Sequence, residues 1–100
     1  LAESGLFDIA AHPDCIKLFG HVPSFSLDSI YETFADALQK SGTAAEVSSG
    51  IHRRTGAPLG PEKLLLDAFK RKGVALVTAS DAHTPQDVGY CLDELEALCR

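Results

Sequence analysis

Val74-Ala75-Leu76-Val77-Thr78-Ala79-Ser80-Asp81-Ala82-His83-Thr84-Pro85 is the stretch on which the fold turns. Residues 74–79 show no polar alternation, so they predict a strand covered on both faces, as in a parallel sheet packed with helices. Asp81 and His83 leave its carboxyl end, the side where α/β folds keep their sites. If the chain stays extended there, residues two apart point the same way, and a carboxylate and an imidazole reach one ion or two neighbouring ions. Thr84 then reads as an N-cap, with Pro85 in the first turn and Val88, Cys91, Leu92, Leu95 and Leu98 as the buried stripe of a final helix.

Working back along the chain, two more strand-then-helix units appear. Phe7–Ala11 reads as a short strand, followed by a loop from His12 to about Phe25 and a helix from about Asp28 to Lys40 with Ile30, Phe34, Ala37 and Leu38 as its apolar stripe. Gly42 stands just past its end. Thr43–Ser48 is a second strand; Pro61 opens a helix whose stripe is Leu64, Leu65, Ala68 and Phe69, and Gly73 stops it after the basic run Lys70-Arg71-Lys72. The order βαβαβα predicts parallel strands joined by crossovers. Three such strands close no barrel and leave two raw edges, and Leu1–Gly5 resembles the tail of a helix. The chain is therefore expected to be one portion of a larger α/β domain.

One hundred residues, 45% of them hydrophobic and 23% charged, suit a small globular unit with a modest core. A net charge of −5 gives no broad basic footprint and argues against nucleic acid as a partner. No apolar run approaches the ~20 residues of a membrane span. Cys15, Cys91 and Cys99 form no CxxC pair, and on one helix Cys91 and Cys99 would lie ~12 Å apart, too far for a disulfide. A reducing, cytoplasmic setting is expected.

His12-Pro13-Asp14 ends the first strand as Asp81-Ala82-His83 ends the third, which puts both groups on one rim. Pro13 disfavours the helical region for His12 and predicts that it stays extended. Imidazole and carboxylate donors suit zinc, iron or manganese, whereas a lone histidine also serves as a loop cap and a lone aspartate as a turn former. Asp14 is expected to support a ligand or shape the turn without touching an ion, and Glu46 to stand behind the ligands in the same supporting way. Glu46 interrupts an apolar strand; its burial costs several kcal/mol unless it is paired or protonated, so it should have a partner, structural or catalytic. Arg53 or Arg54, on a basic loop after the second strand, has the planar fork that matches phosphate oxygens. His21 and His52 read as loop histidines.

Three segments resemble the carboxyl-terminal half of the polymerase-and-histidinol-phosphatase (PHP) family, in its histidinol-phosphatase-like branch. They are Gly5–Asp14, with a strand ending in a histidine; Glu46 through Arg53 to Pro61; and Ser80-Asp81-Ala82-His83-Thr84-Pro85 with Val88-Gly89 behind it. The resemblance implies that residues 1–100 are a truncated piece of a distorted seven-stranded β/α barrel holding two or three divalent ions. It also implies hydrolysis of a phosphate ester of a small molecule, with His12, Asp81 and His83 as metal ligands, Arg53 at the substrate phosphate and Asp81 helping to orient the attacking water. The family's opening His-x-His motif and further ligands, a glutamate among them, have no counterpart here, so this piece alone is expected to be inactive, its missing partner being the amino-terminal half of the domain. A nucleic-acid phosphodiesterase and a non-catalytic domain docked to a polymerase are the alternatives.

Overall fold

In the computed structural model, which describes residues 1–15 and 23–100, three parallel strands form one sheet in the order β1-β2-β3. Strand β1 is Ile9–Ala10, β2 is Ala44–Ser48 and β3 is Leu76–Ala79. Helix α1 (Asp28–Ser41) connects β1 to β2; α2 (Gly50–Thr55) and α3 (Lys63–Lys72) connect β2 to β3; α4 (Leu92–Cys99) follows. The βαβαβα order and the parallel pairing agree with the sequence expectation. His21 lies outside the described residues.

Register sorts the strand residues onto two faces. Ala10 pairs with Ala45, Ala45 with Leu76 and Val47 with Thr78, and these residues face the helices. Ile9, Ala44, Glu46, Ser48, Val77 and Ala79 face the other way, because side chains alternate along a strand. The helix-side core joins Tyr31, Ala35 and Leu38 of α1 to Leu65, Ala68 and Phe69 of α3 over Ala10 and Ala45. Phe34 meets Phe69 edge to face, with centroids 5.9 Å apart. A second cluster places Leu66 and Leu95 against Val47. Leu38, Leu65, Phe69 and Leu95 are fully buried, each worth about 1.5–3 kcal/mol of transfer free energy. Strand β3, expected to be covered on both faces, is only half-buried throughout, because the described helices pack on one side of the sheet.

Several boundaries differ from the sequence expectation for identifiable reasons. Strand β1 is confined to two residues, and Phe7, expected within it, is exposed. The working stripe of α1 is Tyr31, Ala35 and Leu38, with Ile30 exposed; in α3 Leu66 is buried and Leu64 is not. Helix α3 starts at Lys63 rather than Pro61, because Glu62 is extended (φ −51°, ψ 141°) and acts as its N-cap residue. The final helix is broken. Pro85–Asp87 forms a single 3-10 turn, Cys91 takes a left-handed conformation (φ 56°), and α4 starts only at Leu92, which leaves Val88 exposed. Residues 50–55, read as a basic loop, form α2. Helices α1 and α3 end as expected, on Gly42 and Gly73 in the left-handed region, each donating its amide back to the last turn.

Candidate functional site

The carboxyl ends of the three strands open into a pocket of about 490 Å³. His12 and Asp14 border it after β1, Glu46 and Ser48 from β2 itself, Ile51 and Arg54 from α2, and Asp81 after β3; Pro58 and Pro61 complete an apolar wall. His12 and Asp81 both have positive φ, 51° and 50°. The extended conformation expected for each is therefore replaced by a left-handed turn, which Asp and His tolerate better than most residues but which still costs on the order of 1–2 kcal/mol. These turns carry both residues from the strand ends onto the pocket wall.

Glu46 is the electrostatic anomaly of the site. One carboxylate oxygen, Oε1, is fully buried and accepts no hydrogen bond among the described residues. Its facing group is His12, with Nδ1 at 3.5 Å, a separation at the limit of hydrogen bonding. The histidine ring is 52% exposed and the glutamate side chain 14%. An unsatisfied buried acceptor costs about 1–3 kcal/mol, and its lone pairs are open to a hydrogen-bond donor or a cation. Carboxylate beside imidazole is a donor set that suits a divalent cation of the zinc, iron or manganese type. Glu46, expected from the sequence in a supporting place, lines the pocket with its Oε1 turned toward His12.

Asp81 is positioned by helix α2. A Cβ built on Gly50 would lie 2.6 Å from Asp81 Oδ2 and 2.7 Å from its Cβ, so only glycine leaves room for this side chain. Arg54 Nη2 donates to Asp81 Oδ2 at 2.9 Å. Arg53 points elsewhere: its Nη1 donates to the Ser80 carbonyl at 2.6 Å and its Nη2 to the Asp81 carbonyl at 2.8 Å, with Asp87 Oδ1 3.6 Å from Nε. Arg53, singled out for phosphate, thus lies outside the pocket wall, and Arg54 lies in it. Burial pushes the Asp87 carboxyl up, but the Thr84 hydroxyl, the His83 amide and the Arg53 guanidinium together hold it below the usual aspartate value.

His83 is exposed and is not part of the pocket wall. Its Nδ1 lies 2.8 Å from the Asp81 carbonyl; when Nδ1 donates there, Nε2 is the unprotonated nitrogen available to an ion. Asp14 Oδ2 accepts the Glu62 amide at 3.1 Å and so ties the His12 turn to the start of α3. His52 is structural in the same sense, with Nδ1 2.7 Å from the Ala57 carbonyl. Among the described residues no three His, Cys, Asp or Glu side chains converge as a ligand group. The fit to a cation therefore rests on Glu46 with His12, and Asp81 lines the same pocket.

Sequence reasoning missed Gly50 and Ser49. Ser49 is fully buried; its amide donates to the Ala79 carbonyl at 3.0 Å and its hydroxyl to the Tyr90 carbonyl at 2.7 Å, which fastens the start of α2 to the strand and loop that present Asp81. The run Ser48-Ser49-Gly50 was a visible signal of close packing, but its partner lies some thirty residues on.

No family model matches the chain. It is 36% identical over 90 residues to a "Probable histidinol-phosphatase" of Deinococcus radiodurans, an alignment covering 89% of this chain and 34% of that protein. It is also 28% identical over 85 residues to a "Histidinol-phosphatase" of Bacillus subtilis, covering 84% of this chain and 32% of that protein. The chain spans about a third of the length of the curated relatives it matches.

Proposed function

We propose that this chain is part of a metal-dependent phosphoester hydrolase of the PHP type, acting on a small phosphorylated molecule of which histidinol phosphate is one candidate. The buried Glu46 oxygen that faces His12 without accepting a hydrogen bond carries this reading, because a cation held between carboxylate and imidazole would satisfy it. The names of the two relatives support the reaction class. The sheet face bearing Glu46 and Ser48, left without a described helix, together with exposed Ile9 of β1 and Leu6 and Phe7 before it, supports completion of the sheet toward a barrel by further strands.

His12, Glu46, Asp81 and His83 would hold the ions, two or three being proposed for the intact domain. A divalent ion, when bound, supplies positive charge for the phosphoryl oxygens and makes water a stronger acid. Asp81, which lines the same pocket as Glu46, would orient the attacking water and take its proton. Ile51, Pro58 and Pro61 supply an apolar surface for the organic part of the substrate and exclude bulk water. Ligands from outside these residues complete the site, so residues 1–100 alone are proposed to be inactive.

The test is hydrolysis of p-nitrophenyl phosphate and histidinol phosphate by the complete protein that carries these residues. Turnover of at least one of them at ~1 s⁻¹ or faster is expected, abolished by chelation and restored by manganese or zinc. Turnover insensitive to chelation, or none on any phosphomonoester, contradicts the reading.

A further inference from the structure

Arg53 and Arg54 are neighbours on α2, so their side chains leave the helix ~100° apart, and the structure gives them different surroundings. Arg53 is 14% exposed and its fork spans two consecutive carbonyls, Ser80 and Asp81, with the Asp87 carboxylate beyond. Those carbonyls belong to the turn in which Asp81 adopts φ 50°. Withdrawing Arg53 to reach a ligand would strip both carbonyls and the Asp87 carboxylate of a charged donor. Arg54 is 43% exposed and lies in the pocket wall; its described hydrogen bonds use Nη2 toward Asp81 and Nε toward the Gly50 carbonyl. Its Nη1 makes no hydrogen bond among the described residues.

The geometry points to a division of labour: Arg53 is a positioning residue that holds the Ser80–His83 turn by its backbone, and Arg54 is the side chain that binds the phosphoryl group of a phosphomonoester. This inference rests on the phosphoester reading for Arg54 alone; the part assigned to Arg53 stands on geometry. The fork of Arg53 is essential to it, because an ammonium is a point donor and cannot span two carbonyls and a carboxylate in one plane. A bound anion at Arg54, by contrast, needs charge near the pocket, which lysine also supplies.

The experiment compares Arg53→Lys, Arg54→Lys and Arg54→Gln in the complete protein. Hydrogen exchange is followed at the His83 and Asp87 amides, which are bonded to the Asp87 carboxylate and the Thr84 carbonyl. Competitive inhibition by inorganic phosphate is measured alongside. Arg53→Lys is expected to accelerate exchange at these two amides at least tenfold; both Arg54 variants should leave it within threefold. Arg54→Gln is expected to weaken phosphate inhibition at least tenfold, and Arg54→Lys to restore it to within threefold. Exchange unchanged in Arg53→Lys overturns the positioning role. Undiminished phosphate inhibition in Arg54→Gln overturns the binding role. A complete protein that hydrolyses no phosphomonoester refutes the phosphoester reading, and the exchange measurement still decides the role of Arg53.

Discussion

Gly50 shows how far a single residue governs the site. Its missing Cβ is the space that the Asp81 side chain occupies, with Oδ2 2.6 Å from where that carbon would be. Gly50→Ala must push Asp81 out of its turn or displace α2. Overpacking of this kind costs about 1–3 kcal/mol, so a lowered denaturant midpoint should accompany at least a tenfold fall in kcat of the complete protein. Unchanged stability and unchanged kcat together would show that Asp81 has room to move at no cost. Residue type made some of this legible in advance. Asp81 and His83 were visible because a dyad follows an apolar run, and Glu46 because a carboxylate breaks one. Gly50 was not visible, since its neighbour is distant in sequence. The different roles of Arg53 and Arg54 were equally hidden, because side-chain direction depends on a helix, α2, that has no apolar stripe to announce it.

At the scale of elements, hydrophobic period predicted α1, α3 and the three strands but not the break between Thr84 and Leu92. The apolar spacing of Val88, Cys91 and Leu92 continues a helical pattern across that break, and the left-handed Cys91 overrides it. The 3-10 turn there has its own anchor in Asp87, whose carboxyl is held below the ordinary aspartate range although burial opposes this. A depressed carboxyl contributes stability that is present above its unfolded value of about 3.9 and is lost as pH falls through its lower folded value. The loop from His83 to Asp87 should therefore keep its structure at mildly acidic pH and loosen only below about 4. Following the Asp87 side-chain carboxyl carbon by NMR should give a midpoint below 3.9, and Asp87→Asn should remove the acid step from exchange at the His83 amide. A midpoint at or above 3.9 would deny Asp87 this anchoring role.

At the scale of the molecule, the described sheet has helices on one face and the candidate site at its carboxyl rim, with Ile9 of β1 and the preceding Leu6 and Phe7 exposed. The parallel architecture was legible because β-α-β order leaves little choice of connection. The open face was not, because the apolar run of residues 74–79 reads the same whether one or both sides are covered. No described helix is long and apolar enough to cross a membrane. The role proposed for Asp81, which lines the same pocket as the unsatisfied Glu46 and His12, is that of a metal ligand on which phosphoester hydrolysis depends. The most direct measurement is bound-metal content, by mass spectrometry, together with phosphomonoester turnover in the complete protein and its Asp81→Ala variant. The folded variant is expected to lose at least one equivalent of metal and at least a hundredfold in kcat. Full metal content with undiminished turnover would contradict it.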